Sequence, residues 1–167
     1  MIVNETNIKA LADSIHSHHA DIFKSSSYIL DDFFIAKSQF KEDTAWVLFK
    51  GGDKLGSLHN VSDKETLLKN LTFIFSKAIE PTIDNAVEIM LTGYPENELV
   101  KAYGNILLTR SSYSAPNIYR KDVVTLNGNI IYSRPHVGSD IDVVELEICL
   151  KDLIYSEVMS GNIEIHV

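Results

Sequence analysis

Hydrophobic residues recur with a helical period in two stretches of the first half of the chain. From about Glu5 to Phe23 the apolar positions are three, four and seven residues apart, at Ile8, Leu11, Ala12, Ile15 and Ile22. A second set with the same period is Leu67, Leu68, Leu71, Ile74, Phe75, Ala78 and Ile79. Each pattern predicts a helix that buries one face. Ser62 and Glu65 are expected to cap the second helix, and Pro81 to end it.

Strands are predicted where β-branched and aromatic residues replace this period. Tyr28 to Phe49 favours two strands joined by a hairpin around Lys41 to Asp43. Farther along, Ala86 to Thr92 and Ile106 to Thr109 are expected to be strands, with a short helix at Glu96 to Tyr103 between them.

Asn127-Gly128 is the strongest turn signal in the chain. It lies between Val123 to Leu126 and Ile130 to Tyr132, both rich in β-branched residues. Asn-Gly in this setting predicts a two-residue hairpin turn, because both residues tolerate a positive φ.

The C-terminal segment fits two interpretations. Apolar residues alternate with other residues at Val144, Leu146, Ile148 and Leu150, as in a half-buried strand. The segment also has the length of a helix, with Ser139 and Asp142 as a capping pair and Gly161 as a terminator. We favour a helix from about Asp140 to Met159, followed by a short strand from Ile163 to Val167, and a strand in place of the helix remains the alternative.

Length and composition bound the fold. A chain of 167 residues that is 45% hydrophobic can bury a core, and it contains no repeat or linker that divides it. We therefore expect one globular domain over residues 1–167. Helices together with hairpins predict an α+β fold, with an antiparallel sheet and at least two packed α-helices.

Negative charge is concentrated at the C-terminal end. The net charge is -8, and the last 28 residues hold seven acidic side chains against the single basic residue Lys151. Because Lys and Arg must supply contacts to phosphates, this balance argues against binding nucleic acid or a membrane and favours a basic protein partner. Cys149 is the only cysteine, which excludes an internal disulfide and fits the cytoplasm, as does an N-terminus without the pattern of a signal peptide.

Histidines cluster at His16, His18 and His19, close to Asp21. On a helix His16 and His19 lie one turn apart, but zinc usually takes three or four convergent ligands. The cluster therefore favours a structural or solvated role, and we expect neither a bound metal nor another cofactor.

The strongest candidates for chemistry are His136, Asp140, Asp142, Glu145 and Glu147. A histidine among carboxylates suits general acid–base catalysis or Mg²⁺ binding. No motif spacing supports either, and carboxylates at the start of a helix also stabilise its dipole. We therefore assign no catalytic residue, and a small enzyme or ligand-binding domain with a scattered site remains the alternative function.

Binding is the function that these features favour. The expected partner-binding residues are Asp140, Asp142, Glu145, Glu147, Tyr113 and Tyr119. The tyrosines flank a proline-containing loop, and tyrosine is enriched at interfaces. In size, charge and lack of a catalytic motif, the whole chain resembles bacterial toxin-immunity proteins of the contact-dependent-inhibition or polymorphic-toxin type. The resemblance is one of general character, and it implies a non-enzymatic protein that neutralises a basic toxin domain, such as a nuclease, by surface complementarity.

Overall fold

The computed structural model describes residues 1–40, 43–91, 100–110, 121–135 and 140–167. Within them the chain forms four helices and two four-stranded antiparallel sheets, which confirms the predicted α+β fold. The helices are α1 (Glu5–Ser17), α2 (His19–Lys24), α3 (Lys64–Leu91) and α4 (Asp140–Met159). The strands are β1 (Ser27–Leu30), β2 (Phe33–Phe40), β3 (Asp43–Lys50), β4 (Asp53–Leu58), β5 (Val100–Tyr103), β6 (Ile106–Arg110), β7 (Lys121–Leu126) and β8 (Asn129–Pro135).

The chain divides into two compact units. The first contains Met1–Pro81 and Glu157–Val167, and its sheet has the order β1-β2-β3-β4. The second contains Thr82–Ser156, and its sheet has the order β5-β6-β7-β8. The division falls inside α3 and again inside α4. The single globular domain expected from length stays a prediction.

The sheet of the first unit packs one face against α3. Phe33 and Ile35 on β2 and Leu48 on β3 are at most 1% exposed, and Ile35 and Leu48 are cross-strand partners. Alternate residues of a strand share a face, so these three side chains point the same way. Phe33 meets Phe75 of α3 edge to face, with ring centroids 5.7 Å apart. The core of this unit therefore lies between the sheet and α3.

Gly56 on β4 allows α3 to approach the sheet closely. A Cβ atom at this position would lie 2.6 Å from Cγ1 of Ile74, far inside van der Waals contact. Ile74 is β-branched and only 6% exposed, so it has little freedom to move away. Packing, and not a positive φ, therefore requires glycine here.

Helix α3 is longer than predicted. It continues through Pro81 to Leu91, so the predictions that it ends at Pro81 and that Ala86 to Thr92 is a strand are wrong for the described residues. Proline inside a helix costs roughly 3 kcal/mol, partly because the carbonyl four residues earlier loses its amide donor. Pro81 and Lys77 are both exposed, so water can reach that carbonyl. Buried side chains continue with helical spacing through this region, at Ile79, Ile83, Ala86, Val87 and Met90.

Two other helix ends also differ from the predictions. The first predicted helix is divided at His18 into α1 and α2. Asp63, rather than Ser62, caps α3, because its carboxylate accepts hydrogen bonds from the amide of Glu65 at 3.2 Å and from the hydroxyl of Thr66. The bond from Thr66 is the main reason that the pKa of Asp63 lies below its usual value.

The strand predictions are confirmed in part. Tyr28 to Phe49 contains three strands, β1 to β3, where two were predicted, because a turn at Asp31, with a φ of 51°, divides the first. Phe40 pairs with Asp43 across the predicted hairpin, and the predicted strand at Ile106 is β6. Val100–Tyr103 is a strand and not the end of a helix, because it pairs with β6 along its length. The expected last strand is an isolated bridge at His166, since it finds a partner at one position only within the described chain.

Asn127 and Gly128 form the predicted turn between β7 and β8. Their φ angles are 50° and 82°, and Leu126 pairs with Asn129 directly before and after them. Two consecutive positive φ values are the signature of the type I′ hairpin turn.

Replacing Gly128 by valine should lower the free energy of unfolding by about 1 kcal/mol or more, because β-branched residues are penalised at positive φ. An added Cβ would meet no atom within 4 Å, so the cost is conformational. Gly52→Val is the matched control, since Gly52 also faces open space but has no positive φ. Urea denaturation measures both variants, and equal midpoints would contradict the prediction.

Replacing Gly56 by alanine should destabilise the fold by about 1–3 kcal/mol, because the new methyl group overpacks against Ile74. Ile74→Ala alone should cost about 2–5 kcal/mol through the cavity that it leaves. In the double variant the methyl group enters that cavity, so the combined loss should be smaller than the sum by about 1 kcal/mol or more. Strict additivity of the two losses in urea denaturation would refute the close contact.

Candidate functional site

Helix α4 carries most of the negative charge of the C-terminal segment. It runs from Asp140 to Met159, as favoured from the sequence, with six acidic side chains against Lys151. Gly161 ends it with a φ of 78°, and its amide donates to the carbonyl of Val158 at 3.0 Å. This left-handed glycine is the helix terminator that the sequence predicted.

The alternating apolar residues of α4 divide between two faces. A helix places residues four apart on the same side. Leu146 and Leu150 are at most 1% exposed, whereas Val144 and Ile148 are 54% and 55% exposed. The alternating apolar residues, which are typical of a strand, therefore form two rows on this helix. One row is buried and the other lies on the surface.

Carboxylates border the outer row. Glu145 and Asp152 are exposed and lie three residues before and four residues after Ile148, within one helical turn. We call Val144, Glu145, Ile148 and Asp152 the α4 face. Neighbouring aliphatic side chains edged by charge make a surface that a basic and partly apolar partner can cover.

A groove lies on another side of α4, next to the part of α3 that belongs to the same unit. It has a volume of about 450 Å³. Its lining consists of Asp84, Val87, Glu88, Leu91, Glu147 and Lys151. Three carboxylates and one ammonium line it, so the groove adds to the negative charge of the unit.

Lys151 connects the two helices across this groove. Its Nζ atom lies 2.5 Å from Asp84 Oδ1 and 3.6 Å from Glu147 Oε1. The hydrogen bond to Asp84 raises the pKa of Lys151, an effect partly opposed by desolvation and reinforced by the charges of Asp84 and Glu147. Lys151 is 41% exposed, so solvent screens the pair and its contribution to stability is small. Its main effect is to hold Asp84 and Glu147 at the groove.

The structure places part of the predicted site on α4. Asp140 and Asp142 lie in its first turn, Glu145 on its exposed face and Glu147 in the groove. Three other candidates lie outside the described residues: Tyr113, Tyr119 and His136.

Asp84 and Glu88 line the groove but were not predicted from the sequence as site residues. The predicted helix end at Pro81 places Asp84 beyond the helix and Glu88 in the predicted strand, whereas they lie one turn apart on the continued α3. Their spacing of four residues is the signal that would have identified them, because residues four apart share a helix face.

The histidine cluster caps the end of α1. Nδ1 of His18 lies 2.8 Å from the carbonyl oxygen of Ser14, and Nδ1 of His19 lies 2.7 Å from that of His16. A ring nitrogen in hydrogen-bond contact with a carbonyl carries the proton, so both rings donate to the last turn of α1. These contacts support a structural role. Within the described ranges, no three His, Cys, Asp or Glu side chains are placed to share a metal.

Comparison with protein-family models, curated proteins and solved structures finds no match for this chain. In the part of the chain that the structure describes, no helix is both long and apolar enough to cross a membrane. The function is therefore inferred from the surface itself.

Proposed function

We propose that this protein acts by binding, as a toxin-immunity type of inhibitor that neutralises a basic toxin domain such as a nuclease. The observation that carries the proposal is the α4 face, where Val144 and Ile148 are more than half exposed beside carboxylates. The net charge of -8 supports a basic protein as the partner, in preference to nucleic acid or an anionic membrane.

Carboxylates and aliphatic side chains have different roles in this binding. An exposed ion pair contributes about 0–1 kcal/mol, but a field of carboxylates raises the rate at which a basic cleft is encountered. Covering a half-exposed aliphatic side chain contributes about 1 kcal/mol, so Val144 and Ile148 together match or exceed two ion pairs. We expect the carboxylates to set the association rate and the aliphatic pair to set the dissociation rate.

The inhibitor needs no chemistry of its own, because occupying the cleft of the toxin domain is sufficient to block it. We place it in the cytoplasm, where its single thiol, the half-buried Cys149, stays reduced. Copurification with the product of the neighbouring gene supplies the partner for the two kinetic experiments that follow.

Reversing Glu145 and Asp152 to lysine should slow association roughly tenfold at low salt, because the steering field of the α4 face is inverted. Asp140 and Asp142 stay unchanged because they lie at the start of the helix, and Glu147 because it lines the groove and not the α4 face. Stopped-flow measurement at increasing salt should show the difference shrinking, since the Debye length is about 10 Å at 0.1 M.

The matched control for charge is the pair of reversals Glu80→Lys and Glu164→Lys. Both side chains are exposed, and the change in net charge is the same. If both double variants slow association equally, net charge and not the α4 face steers the encounter. Wild-type rates in the Glu145 and Asp152 variant would place the interface elsewhere.

Replacing Val144 and Ile148 by alanine should speed dissociation about tenfold and leave association nearly unchanged, since about 1.4 kcal/mol corresponds to a factor of ten. The control is the double replacement of Ile130 and Ile131 by alanine on β8, where both side chains are also exposed. Circular dichroism establishes that each variant is folded. Unchanged dissociation of the Val144 and Ile148 variant would remove the α4 face from the interface.

A further inference from the structure

Strand β4 forms one edge of the sheet in the first unit. β4 is the last strand of the order β1-β2-β3-β4, and within the described ranges it pairs with β3 alone. The described backbone makes no other hydrogen bond to Asp53–Leu58. An edge strand leaves alternate N–H and C=O groups pointing away from its sheet, where another strand can pair with them.

A groove of about 340 Å³ follows this edge, between β4 and α3. Its β4 side includes Leu55 and Ser57, and its α3 side includes Phe73, Ile74 and Lys77. The two sides are close because Gly56 has no side chain to hold them apart. A sheet edge beside a groove is the arrangement in which an added peptide strand gains main-chain pairing and a pocket for alternate side chains.

Phe73 and Lys77 give the groove its chemical character. Phe73 is 60% exposed, and Lys77, one helical turn farther along, holds its Nζ atom 4.3 Å from the centroid of the ring. An apolar surface and an ammonium group therefore stand side by side. Lys77 and His59 are the charged or titratable groups of the lining, which contains no carboxylate, in a protein with a net charge of -8.

We propose that this groove binds an extended acidic segment of another protein, which adds a fifth strand at β4. The main chain of the segment pairs with β4, an apolar side chain packs on Phe73 and Leu55, and a carboxylate contacts Lys77. Successive side chains of a strand point in opposite directions, so the apolar and acidic residues are separated by an even number of positions. This site is independent of the α4 face, because it lies in the first unit and selects the opposite charge.

Selection of displayed random linear peptides on the whole protein tests this proposal. We expect an enriched motif with an apolar and an acidic residue at even spacing. Selection on the Lys77→Glu variant should replace the acidic residue of the motif by a basic one. Lys69→Glu is the matched control, because Lys69 is exposed on α3 outside the groove, and it should leave the motif unchanged.

Binding of the synthetic form of the selected peptide locates the site. Phe73→Ala and Lys77→Gln, both at exposed positions, should each weaken binding about tenfold. Amide hydrogen exchange on β4 should slow when the peptide is bound. Selection that yields no motif, or the same acidic motif on Lys77→Glu, would overturn the proposal. If exchange on β4 slows without peptide as the protein concentration rises, a second copy of the chain pairs with this edge. That result would also overturn the proposal.

Discussion

The packing of α3 on the sheet β1–β4 is the contact on which most of the described structure depends. It buries the central part of a 28-residue helix, and it requires glycine at position 56 because Ile74 occupies the space of a side chain there. The same helix continues past Pro81 because its buried stripe continues. Fully burying one aliphatic side chain contributes about 1.5–3 kcal/mol, so two beyond Pro81, such as Ile83 and Val87, offset the roughly 3 kcal/mol that proline costs.

Helix α3 also supplies side chains to both grooves. Phe73 and Lys77 line the groove of the first unit, whereas Asp84 and Glu88 line that of the second. The two grooves differ in sign, with a lysine and a histidine in one and three carboxylates beside one lysine in the other. The α4 face likewise carries Glu145 and Asp152, so the two proposed binding surfaces select opposite charges and can be separated by experiment.

Helix α4 shows how a helix can separate structural and functional residues that a linear pattern mixes. Its apolar residues alternate along the sequence, but the helical period sends Leu146 and Leu150 inward and Val144 and Ile148 outward. The inner pair contributes to stability. The outer pair stays in water after folding and gains hydrophobic free energy only when another molecule covers it, so it is the most informative observation about binding.

Features governed by nearest neighbours could be predicted from the sequence by itself. The turn at Asn127-Gly128 and the end of α4 at Gly161 depend on positive φ angles that few residue types adopt. The identity of one or two residues is therefore enough to predict them. The course of α3 beyond Pro81 and the pairing of Val100–Tyr103 into β5 were decided by tertiary structure, because burial and strand pairing involve residues distant along the chain. The candidate site divides in the same way. Glu145 and Glu147 could be identified from the acidic sequence. The position of Asp84 in the groove and the exposure of Val144 and Ile148 could not, because they depend on which face of each helix packs into the core.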